Sequence, residues 1–201
     1  MSVVDSQSLI QGVLEGKVVS FPTDTVPALA ALPERSGEIY RLKRRSADKP
    51  LILMAAEPKA FQPYLGGAGE DRAQWRRIMD QVWPGAVTLV LPASPAVPPA
   101  LNPRQDGTIG LRIPACPPAL AILAQTGPLA TTSANLSGAA PLQTLAEIAQ
   151  VFPEALVLKL EPPSLVVGSG QPSTVAQWQA GQWSLLRQGQ MPFPPADDDK
   201  V

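Results

Sequence analysis

Short apolar runs of strand length recur along this chain, with stretches of helical periodicity between them, and that alternation leaves few folds open. Residues 18–21, 51–55, 87–91, 108–113, 129–132 and 156–160 read as strands. Residues 6–15 place Leu9, Ile10, Val13 and Leu14 on one helical face with Gly16 as a C-cap, and 36–44 turns Ile39 and Leu42 inward. Residues 70–82 carry a stripe of Trp75, Ile78, Met79 and Val82, residues 117–125 start on proline, and Thr144 with Glu147 forms a capping box for one more helix. Residues 174–178 and 183–187 pair as a hairpin around Ala180-Gly181. Strand and helix alternate, so the reading is an α/β sheet with antiparallel strands near its end. No linker divides the chain, and 201 residues suit one domain over 1–189 with a polar tail, expected to be disordered, over 190–201.

Composition narrows the chemistry. Histidine is absent, which excludes the Ser-His-Asp and Cys-His nucleophile systems. With Cys116 the only cysteine, an internal disulfide and the usual zinc sites are excluded too, and a reduced cytoplasmic setting is expected. No apolar stretch reaches membrane-spanning length, and residues 1–14 lack the basic-then-apolar run of a signal peptide. The net charge is −1, of which the aspartates and Lys200 of the tail carry −2, so the remainder is close to neutral and any basic surface is local. Prolines number 24, about twice the usual share, and read as stiffeners of connections. Five of them fall in residues 92–107, a long aperiodic loop of the sort that often serves as a lid.

Four groups of residues are candidates for function. Phe21-Pro22-Thr23-Asp24-Thr25 follows a strand, where a sheet presents ligand-binding groups, although taken alone the motif reads more readily as a side-chain-capped turn. Arg41, Lys43, Arg44, Arg45 and Lys49 put five cations in nine residues; either they form a solvated face, or the corner at Lys49-Pro50, pinned by the strand that follows, turns some of them to a cavity. Thr131-Thr132-Ser133-Ala134-Asn135 ends another strand with hydroxyls suited to donating to phosphate or carboxylate, or forms a polar turn. Thr108 and Arg112 share one face of a strand, and Ser173 and Arg187 lie near strand ends. No P-loop is present, and Gly168-Ser169-Gly170 opens no helix, so a nucleotide would be held by side-chain cations and hydroxyls.

Taken in order, these segments resemble the YrdC-like family, the threonylcarbamoyl-AMP synthases. The likeness runs from Phe21-Pro22-Thr23-Asp24-Thr25 through Lys43-Arg44-Arg45 and Lys49-Pro50-Leu51, Trp83-Pro84-Gly85 with Thr88, Gly107-Thr108 to Arg112, Ser133-Ala134-Asn135, Pro172-Ser173-Thr174-Val175 and Leu186-Arg187-Gln188-Gly189. The resemblance implies a twisted, mixed parallel/antiparallel open sheet flanked by helices, with a concave, positively lined cavity. It implies a nucleotidyltransferase that makes L-threonylcarbamoyladenylate from L-threonine, bicarbonate and ATP and releases pyrophosphate. A separate transferase system then modifies adenosine 37 of tRNA. Mg²⁺ is expected to arrive with ATP, and no protein-bound metal site or membrane contact is expected. By the same resemblance Thr23, Arg112 and Thr131 take threonine. Arg45, Lys49, Thr108, Ser133, Ser173 and Arg187 take ATP, with Lys49 and Arg45 as the catalytic cations and Lys43 and Asn135 at the phosphate end.

Departures from the family's pattern keep two alternatives open. Val26-Pro27-Ala28 replaces a segment that usually carries tyrosine and glycine, Met54 stands where many members have histidine, Pro141 where some have serine, and Ala176-Gln177 where a hydrophobic residue and aspartate are usual. An altered paralogue using another amino acid would fit these changes. An RNA-binding or ribosome-maturation protein, or an enzyme with weak tRNA affinity, would fit the basic stretch 41–49.

Overall fold

The computed structural model describes residues 2–46, 48–67, 69–162 and 165–194. In chain order the helices are α1 (Ser6–Leu14), α2 (Ser36–Lys43), α3 (Gly69–Val82), α4 (Pro117–Thr126) and α5 (Leu145–Val151). The strands are β1 (Val3–Val4), β2 (Val19–Phe21), β3 (Ala28–Ala31), β4 (Ile52–Met54), β5 (Val87–Pro92), β6 (Thr108–Arg112), β7 (Leu129–Ser133), β8 (Leu156–Leu158), β9 (Thr174–Gln179) and β10 (Gln182–Arg187). All join one mixed sheet in the order β1-β8-β2-β3-β7-β4-β6-β5-β9-β10. The β4–β6 and β5–β9 pairs are parallel, whereas β3–β7, β4–β7, β5–β6 and β9–β10 are antiparallel. Among the described residues no helix is long and apolar enough to cross a membrane.

The two-residue period of the strands decides what each face of the sheet does. Val87, Leu89 and Leu91 on β5, Ile109 and Leu111 on β6, and Ala176 and Trp178 on β9 are buried in the core. Their alternates, Thr88 and Val90, Thr108, Gly110 and Arg112, and Val175 and Gln177, line hollows on the opposite face. Trp75 of α3 meets Trp178 edge-on with centroids 6.5 Å apart, and the series continues through Trp183 to Phe193. Each such pair adds about 0.5–1.5 kcal/mol beyond the area it buries. At the other end α1 packs on β8, β2 and α4, with Leu9 and Val13 fully buried. Asp5 caps α1 by accepting from the Ser8 amide at 2.8 Å, and the Thr144–Glu147 capping box opens α5 as its sequence predicts.

Several local expectations change. Leu14 is 54% exposed, so the inner face of α1 is Leu9, Ile10, Gly12 and Val13. Leu42 and Ile78 are only half-buried. In α2 the inward partner of Ile39 is Lys43, and the helix ends on Arg44 in the left-handed region at φ 50°. The 92–107 segment is anchored: Leu101 is fully buried and its carbonyl accepts from the Leu51 amide, while Ala93 donates to Gly107 across the loop's base. The predicted tail begins with a strap, since Gln190 donates to the Pro172 carbonyl, Thr174 Oγ1 donates to Met191, and Phe193 packs on Trp183. The rest of that tail, 195–201, lies outside the described residues.

Candidate functional site

Two hollows adjoin on the open face of the sheet, of about 140 Å³ and 440 Å³. They share Pro50, Ile52, Ser173 and Arg187, so they form one cleft with a narrow and a wide end. Gly110 makes room at its floor: a Cβ there would stand 2.8 Å from Ile52 Cγ2, and any larger side chain would project into the wide end.

Arg112 organises the narrow end. It rises from the last position of β6, only 2% exposed, and would be costly there without partners. Its Nε donates to the Gly85 carbonyl at 3.0 Å, one terminal nitrogen to Thr25 Oγ1 at 2.8 Å, and the other to Asp24 Oδ1 at 2.7 Å. Burial pulls its pKa down from the ordinary arginine value, and the Asp24 carboxylate opposes that pull. Because each hydroxyl has one proton, the contacts run in one direction. Thr25 accepts from Arg112 and donates to Thr23 Oγ1 at 3.0 Å, and Thr23 donates to the Val26 carbonyl at 2.6 Å. The loop 168–170 braces this turn from behind, with Ser169 and Gly170 amides donating to the Asp24 and Thr25 carbonyls. Gly168 permits that approach: its φ is +75°, and a Cβ would sit 2.3 Å from the Thr25 oxygen.

Cations at the wide end are aimed by backbone carbonyls. Arg187 donates twice to the Ser173 carbonyl, at 3.2 and 2.8 Å, and Ser173 Oγ lies 2.9 Å from Thr88 Oγ1. Arg45 donates to the carbonyls of Lys49 and Pro50, each at 3.1 Å. Burial pulls both guanidinium pKa values down, yet an arginine keeps its charge at any ordinary pH. Arg104 and Asp106, from the proline-rich segment, complete the wall beside Thr108. Asp106 Oδ1 accepts from Asn102 Nδ2, the Thr108 amide and Thr108 Oγ1 at 2.7, 3.1 and 2.7 Å. Burial pushes its carboxyl pKa up, but these hydrogen bonds outweigh that and hold it below the usual value.

The structure thus brings Arg45, Thr108, Arg112, Thr131, Ser133, Ser173 and Arg187 to one cleft, as the sequence suggests. Thr23 is placed behind the wall, its hydroxyl holding the turn, and Thr25, itself only 1% exposed, is the threonine of the motif that lines the hollow. Lys49 is exposed and lines neither end, and its carbonyl fixes Arg45. Lys43 is 1% exposed and lines neither end, and it donates to the carbonyls of Ser133 and Asn135 and to Asn135 Oδ1. Burial, then the neighbouring charge of Arg45, pulls Lys43 down to about 7. Asn135 also takes the Ser133 hydroxyl proton at 2.6 Å, so Ser133 offers the cleft an acceptor in this arrangement. Arg41 points elsewhere and pairs with Glu38 and Glu154. The basic stretch is therefore divided between three environments, and Arg45 alone of it lines the cleft among the described residues. Sequence reasoning missed Thr25, Arg104 and Asp106 as lining residues, whereas Met54, singled out as a departure from the family's pattern, does line the narrow end. Thr25 lay inside a motif already singled out, whereas Arg104 and Asp106 sit in aperiodic sequence that carries no signal.

Residues 11–189 match the Sua5/YciO/YrdC family model, described as telomere recombination. The threonylcarbamoyl-AMP synthase of Escherichia coli O6:H1 is 35% identical over 179 residues, covering 87% of this chain and 90% of that protein. The threonylcarbamoyl-AMP synthase of Bacillus subtilis strain 168 is 40% identical over 140 residues, covering 66% of this chain and 38% of that longer protein. Among solved structures, P. abyssi Sua5 complexed with L-threonine superposes with a TM-score of 0.82 at 27% identity, over 94% of this chain and 58% of that one. E. coli YciO superposes with a TM-score of 0.77 at 25% identity, over 92% of this chain and 88% of that one.

Proposed function

Because the chain belongs to the Sua5/YciO/YrdC family, we propose that its cleft makes L-threonylcarbamoyladenylate from L-threonine, bicarbonate and ATP. One observation carries the reading: a narrow and a wide hollow share Arg187 and Ser173, so two ligands held side by side meet at a fixed cation. The L-threonine named with P. abyssi Sua5 and the enzyme name shared by the bacterial relatives support the same chemistry.

The amino acid takes the narrow end, its carboxylate on the open N–H groups of Arg112 and on Arg187, with Thr25 and Thr131 beside it. Its amine condenses with bicarbonate to a carbamate and water. A carbamate oxygen then attacks the α-phosphorus of ATP, the bond to the β-phosphate bridge breaks, and pyrophosphate leaves. Both partners are anions, so the barrier contains their repulsion. Fixed guanidinium groups lower it, because they stand in place before charge moves. Holding both reactants in one cleft also removes the entropic cost of their encounter. Arg45, Arg187, Ser173 and Thr108 serve the nucleotide, and Lys49, on a long stem at the rim, is left to reach the outer phosphates. Lys43 and Asn135 hold the Ser133 loop that forms one wall.

No step needs a histidine base. Mg²⁺ enters on the triphosphate with its own water. The product passes to a tRNA-modifying threonylcarbamoyl transferase system for adenosine 37, in the cytoplasm. The test is pyrophosphate release from ATP, which should require threonine and bicarbonate together; release without threonine, or none with all three, refutes the assignment.

A further inference from the structure

The wide end of the cleft holds a charge that a site for phosphate alone would not contain. Arg45, Arg104 and Arg187 face it, and so does one carboxylate, Asp106. An acidic group among cations weakens the binding of a polyanion by direct repulsion. It fits a ligand that is anionic at one end and carries hydrogen-bond donors at the other.

Asp106 is also held in place. All three hydrogen bonds it accepts fall on Oδ1, from Asn102 and twice from Thr108, and among the described residues Oδ2 accepts none. Asn102 is itself 5% exposed and donates to the Thr108 carbonyl as well, so the carboxylate is fixed to the start of β6. A carboxylate fixed through one oxygen, with the other free at a cavity wall, is arranged to accept from a neutral hydroxyl or amine. Carboxylates bind the ribose of bound nucleotides elsewhere in just this way. Val90, Val175 and Leu186 line the same wide end and give an apolar surface on which a base can rest.

From this geometry we propose that Asp106 reads the sugar of the nucleotide, its Oδ2 accepting from a ribose hydroxyl, so that ribonucleotides are selected over deoxyribonucleotides. The inference rests on the synthase reading, which puts the α-phosphate at the junction near Arg187 and Ser173. Repulsion by Asp106 then directs the β- and γ-phosphates toward Arg45 and leaves the Asp106–Thr108 wall to the nucleoside.

The experiment is calorimetric titration of the full chain with ATP, 2′-deoxy-ATP and 3′-deoxy-ATP, repeated on Asp106→Asn. The wild type should bind ATP about tenfold more tightly than at least one deoxynucleotide, equivalent to about 1.4 kcal/mol. In Asp106→Asn, which keeps an oxygen for Asn102 and Thr108, that ratio should fall to near one, even if loss of the negative charge tightens all three. The ratio is internal to each protein, so a partly misfolded preparation lowers the stoichiometry and leaves it unchanged. Equal binding of all three by the wild type overturns the proposal, as does an undiminished ratio in the variant. A variant whose defect is a raised Mg²⁺ requirement with sugar selectivity intact also overturns it, in favour of a metal contact. Failure of the wild type to bind ATP at all would instead remove the synthase reading, and this inference with it.

Discussion

Asp24→Asn separates the charge of the Arg112 pair from its shape. The two side chains are 3% and 14% exposed and stand 2.7 Å apart, so water screens them little. Removing one partner of a buried ion pair costs about 3–5 kcal/mol, because the remaining charge is left uncompensated. Asparagine keeps an oxygen at the same place, and Thr25 and Gly85 still accept from the other guanidinium nitrogens. The loss should therefore sit at the lower end, about 3 kcal/mol, read by chemical denaturation. For a chain of this size that corresponds to a Tm lower by roughly 6–12 °C. The variant also tests the function assigned to Arg112. With its carboxylate partner gone, the guanidinium should gain more from the carboxylate of a bound amino acid, so threonine should raise the Tm of Asp24→Asn more than that of the wild type. A loss below about 1 kcal/mol would mean the pair behaves as a solvent-exposed one, and the burial argument would fail. Equal or smaller stabilisation by threonine would place the ligand's carboxylate away from Arg112.

Three other expectations follow from single contacts. Arg187→Ala removes the cation shared by both ends of the cleft and should lower kcat/KM for threonine and for ATP alike, by about 2–4 kcal/mol of transition-state stabilisation; an effect confined to one substrate would contradict the shared position. Gly168→Ala places a Cβ 2.3 Å from the Thr25 carbonyl oxygen at a φ of +75° and should cost about 1–3 kcal/mol in denaturant, with weaker threonine binding, whereas an unchanged midpoint would show that the brace is dispensable. Lys43 has a folded pKa near 7, below its ordinary value of about 10.4, so the charged form is penalised in the folded state and unfolding takes up a proton between those limits. Stability should then be flat below pH 7 and rise above it by up to about 1.4 kcal/mol per unit, and Lys43→Met should lack the rise; the same slope in the variant would assign it to another group.

The parts of the fold that were legible in sequence are those where burial leaves a period. β5 and β6 alternate between core and cleft, and the α3 stripe recurs at helical spacing, so each shows as a pattern. β3 does not: Ala28–Ala31 is buried at every position between β2 and β7, and three alanines with one leucine carry neither alternation nor β-branched bias. β1, at two residues, is too short to leave a pattern. Lys43 was misplaced because a charged residue on a helix normally faces water, and only the carbonyls of a distant loop, 90 residues on, make its burial tolerable. The same limit applies to the site. Its residue types could be chosen from motifs, but which of two neighbouring threonines faces the ligand depends on the direction of a hydrogen-bond chain that begins at Arg112. Asp106 was out of reach, since its meaning comes from sharing the wide end with arginines, two of which, Arg45 and Arg187, are brought there from distant parts of the chain.

The most direct measurement is a crystal structure with threonine, bicarbonate and a non-hydrolysable ATP analogue bound together. The account predicts the amino acid in the narrow end with its carboxylate on Arg112, and the α-phosphorus beside Ser173 and Arg187, about 3–3.5 Å from a carbamate oxygen. Ligands bound in places that do not adjoin, or a nucleotide whose phosphates turn away from Arg187, would contradict it.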